Sequence, residues 1–533
     1  MAILAGLLLA ISFPTPGIAG FAWIAPGLLL TLGLGRSGRN RFGLGYAAGV
    51  VHYLVSLRWL LNIPVTGFPI LGWLALGFFL ALYPACWLWM VWRFVPKTSA
   101  PEPAGGLLSG ARQVAAWGWA RRFSWCLACA AAWVALEAVI SRLFSGFAWN
   151  LLGASQSRIV PLIQLASVTG IAGLSFLIVW SSASLFCAGC VIIGKPGLRS
   201  VWMGEIALPL ATVMTLFIAG FHRVAALPDP ARELRVTLVQ PSVPQTLIWD
   251  ASRSDERFEE LVRLTELALT NRTDLLIWPE AAVPRPLRYD AATYRAITGL
   301  AKDHQVWMIV GSDDVEPRLA DRDPNAADFF NASFLVGPDG KIAGNYRKRH
   351  LVIFGEYIPL LRWLPFVKWL TPITGQFTAG DRPVPFDLPD LDVRTSVLIC
   401  FEDVFAEDAR AAVDAATDFL VNLTNDGWFG EGAAQWQQAG TAAFRAVENG
   451  LPLVRCTNNG LTCWFDACGR LRDAFHDSRG GIYGAGFTTV RIPLPAPGTV
   501  RKPTFFHRHG DWFAWLCVVI AAWHLMPRSR RLP

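Results

Sequence analysis

The sequence predicts two bodies of different class, an α-helical membrane part and a layered α/β domain, and three observations carry that division. Hydrophobic residues make up 53% of the 533 residues and charged residues 16%, against roughly 45–50% and about 25% in soluble chains. Mean hydropathy is +0.38. The apolar residues are also unevenly placed: residues 1–224 hold long uncharged runs, while residues 231–500 alternate aliphatic runs, turns and charged helical patterns.

A membrane-crossing helix needs roughly 20 apolar residues. Candidate spans lie at 2–13, 17–35, 42–62, 69–94, 123–143, 170–194 and 202–222, with an eighth at 511–526 beyond the α/β domain. The expected organisation is therefore a membrane domain over 1–224 with about seven transmembrane helices, a soluble domain over 231–500 and a C-terminal transmembrane helix over 511–526. The start, "MAILAGLLLAISF", has no basic segment before its apolar run and is read as a retained span rather than a signal peptide.

Short loops give the orientation, because lysine and arginine are retained in the cytoplasm. Arg36, Arg39 and Arg41 follow the second span; Arg93, Lys97, Arg112, Arg121 and Arg122 follow the fourth; Lys195 and Arg199 follow the sixth; Arg528, Arg530 and Arg531 follow the last. With the N-terminus inside, all of these are cytoplasmic and the soluble domain falls on the opposite side. The same loops hold one acid, Glu102, so they account for more than the whole formal charge of +7. The pI of 9.0 thus reports topology, and nucleic-acid binding loses its main support.

Of ten cysteines, Cys86, Cys126, Cys129, Cys187, Cys190 and Cys517 fall in apolar spans, where cysteine behaves as a small hydrophobe. Cys400, Cys456, Cys463 and Cys468 belong to the soluble domain and contain no C-x-x-C pair. No metal or other cofactor is expected. A disulfide among the last three stays open.

Strand-like runs in the soluble domain are 235–240, 274–280, 306–312, 332–341, 394–400, 418–426, 452–460 and 461–470, with helical patterns at 254–270 and 435–450. This alternation predicts a layered domain with buried sheets. Three segments deliver ionisable residues where a strand-end site would use them: "IWPEAAVP" gives Glu280, "NYRKRHLVIFGEYIP" gives Lys348 and Glu356, and "SVLICFEDVF" gives Cys400. A thiol reacts as thiolate, and an unperturbed pKa of about 8.5 leaves little of it at neutral pH. Glu280 supplies a base, while Lys348 favours thiolate and steadies the oxyanion formed on a carbonyl. The backbone N–H of Phe401 is a second oxyanion donor. The bland alternatives are an inert core thiol at Cys400, a solvated basic turn at Lys348, a structural partner of Lys348 at Glu356 and helix caps at Glu402 and Asp403.

The ordered set W-P-E, a lysine eight residues before F-G-E, and C-x-E resembles the nitrilase superfamily, and nearly the whole chain resembles its membrane-anchored branch, the apolipoprotein N-acyltransferases. "EAVISRLFSGFAWNLLGASQS" (137–157), "VQPSVPQTLIWD" (239–250), "NLTNDGWFG" (422–430) and "RCTNNGLT" (455–462) share in the resemblance; Ile353 and Phe401 depart from it, standing where the family commonly has proline and tyrosine. The resemblance implies a nitrilase-like α-β-β-α sandwich with Glu280, Lys348 and Cys400 as catalytic residues and Glu356, Phe401 and Glu402 in supporting or oxyanion roles. It implies a ping-pong reaction in which Cys400 takes an acyl chain from a phospholipid and passes it to the N-terminal amine of a diacylated lipoprotein, at the bacterial inner membrane with the catalytic domain facing the periplasm. The protein is expected to act as a monomer. Trp249, Trp363 and Trp428 are candidate substrate contacts, and the aromatic stretch 357–377 is read as an arm or lid at the bilayer surface. Other readings are a membrane-tethered amidase or nitrilase, transfer to a different amine acceptor, and a non-catalytic scaffold.

Overall fold

The computed structural model describes residues 1–64, 68–95, 106–197, 199–227, 229–248, 250–318, 326–359, 376–499 and 501–526. The chain divides into two compact units, one of residues 1–61, 70–227 and 508–533 and one of residues 62–69 and 228–507.

The first unit is helical. Among the described residues, four helices are long and apolar enough to cross a membrane: Pro69–Arg93, Trp119–Ile140, Ile171–Gly194 and Ser200–Ala225. The other expected spans form shorter apolar helices, Ala2–Ile11, Ala19–Leu32 and Trp512–Leu525, except 42–62, which gives Gly38–Ser56. Buried charge is paired: Arg122 meets Glu205 at 2.8 Å. Oε1 of Glu137 accepts from Trp133 Nε1 at 2.9 Å and Leu152 N at 2.7 Å, and Arg142 pairs with Asp511.

Among the described residues, the second unit holds two six-stranded sheets. Its strands are β1 (Arg232–Gln240), β2 (Leu275–Ile277), β3 (Trp307–Pro317), β4 (Ala327–Val336), β5 (Ile342–Arg347), β6 (Pro385–Leu388), β7 (Val393–Ile399), β8 (Phe419–Thr424), β9 (Leu453–Thr457), β10 (Cys463–Phe465), β11 (Leu471–Arg472) and β12 (Gly486–Leu494). They are ordered β12-β1-β2-β3-β4-β5 and β11-β10-β9-β8-β7-β6. In each sheet three strands run parallel, β1-β2-β3 and β7-β8-β9. Helices Ser254–Ala268 and Ala291–Asp303 make the crossovers of the first triplet, Ala406–Ala412 and Ala433–Asn449 those of the second. The two triplets share one βαβαβ plan without visible sequence repetition.

Alternation along the strands explains the layering. Val236, Leu238, Ile277, Ile309, Val397, Ile399, Val421 and Leu423 meet in one core between the sheets. Their neighbours point outward: Leu276 and Met308 pack with Leu261 and Ile297 of the first pair of helices, and Leu398 and Leu420 with Ala442 and Ala446 of the second. Both faces of the parallel strands are thus covered, which is why they read as unbroken aliphatic runs. Each fully buried Leu, Ile or Val contributes roughly 1.5–3 kcal/mol. The order is α-β-β-α. Ligands of such sheets bind beyond the carboxyl ends of the parallel strands, where Glu280 and Cys400 lie.

Candidate active site

Glu280 stands three residues past β2. Trp278 holds this exit, its N–H donating to Ile309 O and its Nε1 to Thr265 Oγ1, both at 2.9 Å. Gly311 makes room: a Cβ there would lie 2.1 Å from Pro279 O and 2.9 Å from Glu280 Cα. Lys348 stands just past β5, its N–H donating to Asn331 O at 2.8 Å. Glu356 follows in a tight turn where its own N–H donates to Val352 O and its Oε2 accepts from Val352 N, both at 2.8 Å.

Cys400 is the first residue beyond β7, with φ of 53°, a left-handed conformation that a non-glycine residue keeps only when its surroundings impose it. Here those surroundings are explicit. The carbonyl of Cys400 accepts from Asn422 Nδ2 at 3.1 Å and Gln438 Nε2 at 3.0 Å. Glu402, two residues on, accepts from Ile399 N at 2.7 Å, Arg349 N at 2.7 Å, His350 N at 3.1 Å and the Tyr346 hydroxyl at 2.8 Å. Its carboxyl is thus a strut joining the segment that carries Lys348 to the turn that carries Cys400.

These segments bring an acid, an amine and a thiol together. Lys348 Nζ lies 2.9 Å from Glu356 Oε1 and 3.6 Å from Glu280 Oε1, with its side chain 1% exposed. Asn331 Nδ2 donates to both carboxylates, at 2.8 Å to Glu280 and 2.9 Å to Glu356. The Cys400 thiol faces Glu280 and the Thr424 hydroxyl, and Oε2 of Glu280 is buried without a hydrogen-bond partner.

The electrostatics follow from burial. Desolvation raises the Glu280 carboxyl, with Lys348 opposing. Burial pulls Lys348 down, but Glu356 and Glu280 outweigh it and hold the ammonium above its usual range. Burial and then Glu280 push Cys400 well above an ordinary thiol, and Lys348 offsets this only in part. Burial thus opposes ionisation of the sulfur more than Lys348 favours it, so Lys348 alone does not create the thiolate and proton transfer to Glu280 must accompany attack. Such a set suits covalent acyl chemistry.

Trp428 lies half-buried in the turn Asp426–Phe429. Trp249 and Trp363 lie outside the described residues, as does most of the stretch 357–377. Phe401 packs edge-on to Phe405 at 4.9 Å.

Sequence reasoning missed a buried network behind the nucleophile. Asp403, expected as a helix cap, instead pairs with Arg455 at 2.7 Å, and Arg455 also meets Asp426 at 2.9 Å. Gln438 bridges Asp403, at 2.9 Å, and the Cys400 carbonyl. Burial pushes Asp403 up to about 6, with Arg455 opposing. The signal available was the clustering of polar residues in otherwise aliphatic runs, Asn422 inside β8, Asp426 just after it and Arg455 inside β9. Cys456, Cys463 and Cys468 are all buried, and Cys456 and Cys463 are free thiols.

Two helix-flanked sheets with glutamate, lysine and cysteine at their strand ends define a protein of the carbon-nitrogen hydrolase class, and the family model "Carbon-nitrogen hydrolase" matches residues 235–485. A second, "Apolipoprotein N-acyltransferase N-terminal domain", matches residues 5–184. The apolipoprotein N-acyltransferase of Geobacter metallireducens is 35% identical, covering 98% of this chain and 93% of its own. That of Vibrio vulnificus is 28% identical over 97% and 95%. An amidase from Nesterenkonia is 17% identical, with a TM-score of 0.36 over 54% of this chain and 99% of its own. The chain belongs to the apolipoprotein N-acyltransferase family and is a membrane-associated acyltransferase.

Proposed function

We propose that the protein moves an acyl chain from a phospholipid to the α-amino group of a diacylglyceryl-cysteine lipoprotein, through a thioester at Cys400. Glu280 takes the thiol proton as sulfur attacks the ester carbonyl; the C–S bond forms, the ester C–O bond breaks, and the proton leaves with the lysophospholipid oxygen. The amine then attacks the thioester, the C–N bond forms, and its proton passes by way of Glu280 to the departing sulfur. Lys348 and the Phe401 N–H stabilise the oxyanion of both steps, Glu356 holds Lys348, and Trp428, Trp249 and Trp363 contact the lipids. Helices within 1–224 and 511–526 anchor the domain spanning 231–500 in the bacterial inner membrane as a monomer, with that domain on the periplasmic side. Tethering suits the substrates, since drawing an acyl chain into water costs about 0.8 kcal/mol per CH2.

The observation that carries this reading is Lys348 between Glu280 and Glu356, at 3.6 and 2.9 Å, with the Cys400 thiol against Glu280. The test is intact-protein mass spectrometry in phospholipid vesicles, followed by addition of a diacylated lipopeptide. An acyl adduct on Cys400, absent from Cys400→Ala and discharged by the lipopeptide to give an N-acylated product, is expected. An adduct discharged only by water would point to hydrolysis; no adduct at all would overturn covalent catalysis.

A further inference from the structure

Asp313 belongs to the same cluster, yet the chemistry above leaves it unused. It lies on β3 directly opposite Asn331 of β4, and opposed residues of an antiparallel pair project to one face with Cβ atoms roughly 4.5–5.5 Å apart. On that face Asn331 holds Glu280 and Glu356. The adjacent Asp314 projects to the reverse face, where it pairs with Arg288 and Arg347. The Asp313 carboxyl has no hydrogen bond or ion pair among the described residues, the Ser312 hydroxyl donating instead to the Asp313 backbone carbonyl at 3.1 Å. Asp313 is half-buried, less enclosed than Glu280 and Glu356, which are buried at 7% and 8% exposure.

The charged groups facing it are Glu280, from the turn after β2, and Glu356, from the turn after β5. Lys348 Nζ lies against both of those carboxylates, and β4 presents the neutral Asn331. Burial, and then Glu280 and Glu356, push the Asp313 carboxyl up to about 7.

Proton counting gives this group a task. An α-amino group has a pKa of about 7.7–8.0 and arrives at neutral pH as ammonium. Ammonium plus thioester yields amide, thiol and one proton in excess. The nitrogen must lose one proton before it has a lone pair, and a second as the C–N bond forms and the C–S bond breaks. Glu280 conveys the second to sulfur and has no vacancy for the first.

We infer that Asp313 binds the ammonium of the acceptor, takes that first proton and releases it to water, which makes it a catalytic residue of thioester aminolysis and not of thioester formation. The inference rests on the amine-acceptor reading above. The test follows the two half-reactions separately in phospholipid vesicles, with Asp313→Asn against the unmodified protein. Adduct formation on Cys400 should be unchanged, which also shows that the variant folds. Transfer to a diacylated lipopeptide should fall about tenfold at pH 7, the factor by which the amine is protonated there, and recover above pH 8. In the unmodified protein, transfer should lose rate below about pH 7 while adduct formation persists to lower pH. An identical transfer profile in the variant, or equal slowing of both half-reactions at every pH, overturns the role of Asp313. An unmodified protein that forms the adduct and never acylates the lipopeptide overturns the acceptor reading instead, and this inference with it.

Discussion

Lys348 is held more closely by Glu356, at 2.9 Å, than by Glu280, at 3.6 Å. The nearer acid balances the ammonium, and the farther one keeps an oxygen, Oε2, without a partner. Two carboxylates beside one buried cation divide their work by distance: one holds the charge in place, the other remains free to accept a proton.

Lys348→Met removes the cation and leaves both acids buried together. Adduct formation on Cys400 should slow about 100-fold or more, as when an oxyanion donor is lost. Stopped-time mass spectrometry measures the rate, and a rate within threefold of the unmodified protein would remove Lys348 from the mechanism.

The pH profile of the first half-reaction should have an acid limb set by Glu280. Burial raises this carboxyl from its ordinary value of 4.5, so the carboxylate base is present only above the raised value and the rate climbs as pH rises through it. The Cys400 thiol, raised well above 9.0, adds no second limb at neutral pH. Glu280→Gln should abolish the limb together with the rate.

Gly311→Ala places a methyl 2.1 Å from Pro279 O, which forces the turn bearing Glu280 away from β3. Activity should fall at least tenfold, since small misplacement of a catalytic group costs up to about 100-fold, with the fold retained. Circular dichroism beside the adduct assay separates the two effects.

Arg455→Met leaves Asp403 and Asp426 buried without their cation. Breaking a buried pair from one side costs roughly 3–5 kcal/mol, so the thermal transition should drop by several degrees. Glu402→Ala should lower it too, because buried N–H groups of Ile399, Arg349 and His350 lose their acceptor. A surface substitution such as Lys341→Ala is the control and should change neither.

What was legible in the sequence was what chemistry or periodicity marks locally. Parallel strands covered on both faces announce themselves as aliphatic runs: β2, β8 and β9 fall within runs read from sequence, and β1, β3 and β7 overlap theirs and extend past one end. The edge strands β6 and β12 did not, because "PFDL" and "GFTTVRIPL" mix polar and apolar residues at partly exposed positions. Among candidate residues, Glu280, Lys348 and Cys400 stood out by order and spacing, and the structure brings them together. Asp313 and Arg455 were silent, since only strand register and burial place one opposite Asn331 and the other between two aspartates.

The acid and amine of the cluster come from the first sheet and its exits, the sulfur from the second. A growing polypeptide that has emerged only as far as β5 therefore holds Glu280 and Lys348 with nothing to activate, and Cys400, once synthesised, has no base until its sheet closes on the earlier one. The reactive set is therefore complete only when both sheets are joined.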